Sequence, residues 1–126
     1  MSKHTALKVD TDGNVTRLEF EEGKSYDMLK TGVDGWIECV RLDNGIDMWL
    51  NEEGKLLGLP VNYFATVLWI SKYGMTDVMC GNAILTSGTE DGDTVGLTEE
   101  QLDSLRPLFG VSSNHPFPTA ILNGGE

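Results

Sequence analysis

Glu38, in Gly35-Trp36-Ile37-Glu38-Cys39-Val40, is the residue of this chain whose type and position most invite chemistry. Pairing residues 36–42 with 46–50 as a hairpin puts Glu38 on the same face as Trp36, Val40, Leu42, Met48 and Leu50. That face should be the core side. A carboxylate there must be paired, hydrogen-bonded, protonated, or at the wet end of the sheet. A binding or acid/base role is one reading, and an edge position partly in water, or one capping a backbone group, is the ordinary one. On the opposite, outward face lie Arg41, Asp47, Trp49 and Asn51, where an exposed tryptophan would be an interface anchor, and a half-buried one under a covering loop the commoner arrangement. Asn51, Glu52, Glu53 and Lys55 then follow in a turn. Polar residues held rigidly beside an aromatic lose little ordering entropy on binding. Trp49, Asn51, Glu52, Glu53, Lys55, Glu38 and Arg41 are therefore the candidate binding residues.

Other chemistries find little support. Asp10-x-Asp12-x-Asn14, with Glu21 further on, has the look of a calcium loop. The glycine such a loop needs at its sixth position is Val15, however, and the flanks read as strands, so a hairpin turn is expected. His4 falls in an N-terminus expected to fray and His115 in a Pro-rich tail. Neither has a nearby cysteine or second histidine to make a zinc site or a general base. Cys39 and Cys80 stand in apolar runs without a CxxC pattern and read as buried free thiols of a reducing compartment. No nucleophile elbow or phosphate loop is present, and the stretch 88–92 is acidic, the wrong sign for cradling phosphate. The expectation is a protein that is not an enzyme, with no cofactor and no metal.

The elements that must position these residues fit one α+β domain spanning 1–109, with 110–126 a loosely ordered tail. The chain has 126 residues, enough to bury a core, and its 40% hydrophobic content argues against disorder. Residues 6–10 and 15–20 read as strands about Thr11-Asp12-Gly13-Asn14. Ser25 would cap a short helix over 26–30, ended by Gly32. The hairpin register follows from side-chain faces. A two-residue Asn44-Gly45 turn would set Leu42 beside Asp47. A three-residue loop with Gly45 in the left-handed region pairs Val40 with Met48 and Arg41 with Asp47. Residues 51–58 are turn, Pro60 marks a helix start, and Asn62 caps a largely buried helix to about Lys72, with Gly74 beyond it. Residues 77–86 form a strand apolar on both faces and hence central, with Gly81 at a bulge or close approach. Residues 87–96 are a polar loop, and Thr98-Glu99-Glu100-Gln101 is a capping box opening a helix to about Arg106. The sheet is mostly antiparallel, of about five strands with two or three helices, in the element order of a β-grasp domain.

Charge narrows the partners. Twenty acidic against nine basic residues give −11, with no Lys/Arg stripe for nucleic acid. Such a surface suits solubility, or a basic partner. No apolar run reaches the roughly 18 residues of a membrane span, and no secretory signal opens the chain. A cytoplasmic protein is expected, with no direct nucleic-acid or membrane contact.

The series Gly35-Trp36-Ile37-Glu38-Cys39-Val40, Asn51-Glu52-Glu53-Gly54-Lys55-Leu56, Gly58-Leu59-Pro60, Asn62 and 77–81 resembles an uncharacterised family. It is a domain-of-unknown-function family of actinobacteriophages, actinobacteria and mobile elements of gut bacteria. The resemblance covers roughly 15–109. It implies a small cytoplasmic protein of a phage or conjugative element, and it supplies no activity or catalytic residue. Together with the acidity and the absence of a catalytic motif, it favours a protein that binds a host protein, as a counter-defence or host-takeover factor. The alternatives are a small-molecule or signalling-nucleotide sponge, built at an oligomer interface such as a homodimer, and a DNA-mimic inhibitor. Arg17, Arg41 and Lys55 are the few candidates for phosphate, and the dispersed carboxylates weaken the mimic.

Overall fold

The structure, a computed structural model, describes residues 3–110. Strands β1 (Lys3–Val9) and β2 (Val15–Glu21) lead to helix α1 (Ser25–Val33). Strands β3 (Ile37–Arg41) and β4 (Ile46–Asn51) follow, then α2 (Tyr63–Tyr73), β5 (Ala83–Gly88), β6 (Thr94–Val95) and α3 (Glu99–Phe109). The sheet order is β2-β1-β5-β4-β3, with β6 on β5, and every ladder is antiparallel. The α+β class with a mostly antiparallel sheet holds. The element order that suggested a β-grasp domain also holds through β5.

Helices cover both faces of this sheet. On one face Ala6, Leu18, Phe20 and Ile84 pack with Met28, Leu29 and Val33 of α1. On the other, Leu7, Val9, Met48, Leu50 and Leu85 pack with Ala65 and Leu68 of α2 and Leu102 and Leu105 of α3. The face expected to point outward from the hairpin is therefore the floor under α1. Strand β5 is central, as its two-sided apolar pattern predicts, and Ala83, Ile84 and Leu85 are fully buried. It starts later than expected. Between Asp77 and Asn82 the chain makes only an isolated bridge, Val61 to Cys80, before joining the ladder at Ala83.

The hairpin register is as read from the sequence: Val40 faces Met48 and Arg41 faces Asp47, with Gly45 at φ 72°. Asn62 caps α2, its side chain accepting the Ala65 N–H, and the Thr98/Gln101 capping box is complete. Other boundaries differ as well. Helix α1 runs through Gly32 to Val33, because Gly32 is a contact point rather than a terminator. A Cβ there would lie 2.7 Å from Ile84 Cδ1, so the glycine lets the helix lie close on the sheet. Ser25 is the first residue of α1 and not its cap. The supposed polar loop 87–96 contains the end of β5 and all of β6. His4 is not frayed: it lies in β1 opposite Phe20, its ring stacked at 5.1 Å and its Nδ1 accepting the Gly96 N–H. The tail expectation for 111–126 lies outside the described residues.

Candidate functional site

The loop between β4 and α2 runs beside the loop between α2 and β5, and backbone contacts pin the two together. Met79 O accepts the Asn62 N–H at 2.7 Å, and Pro60 O accepts the Gly81 N–H at 2.8 Å. Gly54 sits so close to the second loop that a Cβ on it would stand 2.8 Å from Cys80 O, the physical reason for glycine in Asn51-Glu52-Glu53-Gly54. Gly81, at φ 89°, makes the close approach expected of it, against the Leu59 side chain. Asn62, fully buried, completes the clamp: its Nδ2 donates to Val9 O and Gly81 O, each at 2.9 Å.

A hollow of about 200 Å³ opens between these loops and β3, and Glu38, Asn51, Glu52 and Lys55 of the candidate residues line it. Asp77, Val78, Cys80 and Trp69 are also part of its wall. Glu38 shares the face of Val40 and Leu50 as expected, but β3 is the sheet's edge, so its carboxylate is exposed rather than buried in the core. Lys55 Nζ is hydrogen-bonded to Asp77 Oδ1. That bond raises the Lys55 pKa, with Asp77, Cys80 and Glu38 adding charge of the same effect. The same bond, with the Val78 N–H, lowers the Asp77 carboxyl.

Trp49, Glu53 and Arg41 fall elsewhere, and Asn51, though it lines the hollow, is tied into the fold. Trp49 is no exposed anchor. It packs half-buried on the α1 side, and its Nε1–H donates to Thr86 Oγ1 at 2.9 Å. Asn51 is buried and structural: Nδ2 donates to Val33 O and Asp34 O at the end of α1, and Oδ1 accepts the Glu53 N–H at 2.8 Å. Glu53 is exposed on the turn and Arg41 on the β3 edge, opposite Asp47. Burial raises the Asp47 carboxyl, against the pull of Arg41. Arg41 and Asp47 line a separate shallow pocket of about 130 Å³ with Thr89 and Asp93. Trp36, expected in the core, is 57% exposed, with Lys30 Nζ 4.3 Å from its ring centroid. Trp69, expected in the core, is half-buried at its margin. Cys39 is exposed on β3 and Cys80 half-buried in the hollow, so neither is the core thiol anticipated.

The sequence reading missed the apolar residues of the two loops. Leu56 is 87% exposed and Met75 88%, and Leu57, Val61 and Val78 are exposed as well. The available signal was Leu56-Leu57 inside a turn, an apolar pair with no strand or helix period to bury it. Asp77 and Val78 were hidden by their assignment to a strand.

The Asp10 loop is a turn: Asp10 Oδ1 accepts the N–H groups of Asp12 and Asn14. No cluster of three or more His, Cys, Asp or Glu able to hold a metal occurs among the described residues. Among them, no helix is long and apolar enough to cross a membrane. No curated protein and no solved structure matches the chain. One family model does, described as Domain of unknown function (DUF3846), and it matches residues 3–110. That span covers most of the chain and takes in the sheet, the helices and both pinned loops, so the protein belongs to this family of unknown function.

Proposed function

We propose that this chain is a non-enzymatic binding protein of a phage or mobile element, acting on a host protein in a counter-defence or host-takeover role. The observation that carries the reading is the exposure of Leu56, Leu57, Val61, Met75 and Val78 on two loops that backbone contacts hold side by side. Scattered apolar residues on a surface mean little, but several large ones on adjoining, rigidly held loops mark an interaction site. Pinning lowers the entropy lost on docking. The sequence resemblance to a phage and mobile-element family supports the context. The nucleotide-sponge alternative has thinner support, because Lys55 is the one cation among the described residues lining the hollow beside β3, and Asp77 holds it.

Affinity capture from a host lysate tests the reading. The chain should retain a specific protein that Leu56→Ser with Met75→Ser no longer retains. Both positions are exposed, so the double variant should keep the melting temperature of the parent. Equal retention by both proteins, or retention of nothing, would overturn it.

A further inference from the structure

We infer that the partner presents a basic amphipathic segment to the paired loops, and that Lys55 holds the place of the partner's cation until it docks. The inference rests on the protein-binding reading and names the chemistry of the partner. Two hollows flank the Asp77-Val78 ridge. The one toward β3 is lined by Val40, Leu56 and Trp69 together with Glu38, Glu52 and Asp77. The other, about 350 Å³, is lined by Thr66, Ile70 and Met75 with Asp77 and Val78. Apolar side chains of a partner would fill both, and the carboxylates decide what accompanies them.

Those carboxylates outnumber the cations. Among the described residues Lys55 is the single Lys or Arg in the two linings, and its ammonium is committed to Asp77. No salt bridge reaches Glu38 or Glu52 among the described residues. An acidic or phosphorylated partner would meet this rim, and a chain of net charge −11, with repulsion. An arginine meets it differently. Its stem can lie along Leu56 and Trp69 while its planar guanidinium takes Asp77 in a two-point contact that an ammonium cannot make. The Lys55 side chain is 57% exposed, so it can swing into water when displaced, and an exposed ion pair resists that displacement weakly. Lys55 thus acts as an internal competitor at the cation position.

Fluorescence anisotropy with a labelled synthetic helical peptide, a leucine stripe flanked by arginines, provides the test. Its control is the same peptide with glutamate in place of arginine. The arginine peptide should bind and the control should not. Leu56→Ser with Met75→Ser, and separately Asp77→Asn, should each weaken binding by about tenfold or more, and Lys55→Met should tighten it several-fold. Circular dichroism of each variant should match the parent. Failure of the arginine peptide to bind, equal binding of the two peptides, or indifference to Asp77→Asn and Lys55→Met would overturn the inference. A captured host protein lost with Leu56→Ser and Met75→Ser but insensitive to Asp77→Asn would leave the binding reading standing and remove only the basic partner.

Discussion

Cys39 is a surface thiol in an environment that opposes its ionisation. Loss of water around the sulfur and the nearby Asp47 carboxylate push its pKa up to about 11, with Arg41 pulling the other way. Only the thiolate reacts, so exposure alone will not make this residue reactive at neutral pH. Alkylation by iodoacetamide, followed residue by residue by mass spectrometry, should be slow at neutral pH. It should accelerate by about tenfold per pH unit on approaching the thiol's pKa. Asp47→Asn should speed it at fixed pH. A Cys39 rate already at its plateau near neutral pH would contradict this electrostatic account. The thiol also shows the limit of reading single residues from sequence. Cys39 alternates correctly with its neighbours, but nothing local tells that β3 is the edge strand. The same ignorance left open whether Glu38 lies in the core or at a wet edge. Conversely, Trp49 and Asn51 sit on a face that looked solvated only because the helix covering it comes from earlier in the chain. Burial is a property of the partner surface, and the partner is not adjacent in sequence.

At the scale of elements, local chemistry was legible where it closes on itself. The three-residue hairpin loop, the Thr98/Gln101 box and the Asn62 cap each satisfy backbone groups within a few residues, so the sequence alone determines them. The β5 boundary was not legible. The apolar run from Val78 onward is spent partly on a loop pinned to Pro60 and Asn62, a contact made across the length of α2. Asn62 has a local and a distant role at once. Its Oδ1 caps α2 and its Nδ2 ties β1 to the Gly81 turn. Asn62→Ala removes the cap and the two buried amide hydrogen bonds to Val9 O and Gly81 O, which should cost about 2–4 kcal/mol. Asn62→Ser restores the cap without the two donors and should recover part of that loss. Urea unfolding of the three proteins measures both steps. A serine variant as stable as the parent would show that the two carbonyl bonds contribute nothing, and the clamp on the paired loops would lose its energetic basis.

On the scale of the whole molecule, the sheet is the middle layer of a sandwich whose covers come from different parts of the chain. Helix α1 closes one face, and α2 with α3 close the other. Each cover is built from described residues. Leu97, Leu102 and Leu105 are buried in the second core, and Phe109 meets Phe64 edge-on at 5.2 Å. Gly110, at φ 71°, gives α3 the left-handed residue that ends it, its N–H donating to Arg106 O and Pro107 O. A chain ending at Gly110 should therefore unfold as one cooperative unit, with near- and far-ultraviolet circular dichroism melting together. A chain ending at Leu97 lacks α3 and with it Leu102 and Leu105 of the second core, so its two signals should separate or its transition broaden. Loss of the sharp transition in the longer truncation would place core-forming residues beyond 110. An unchanged transition in the shorter one would show that α2 alone covers the second face.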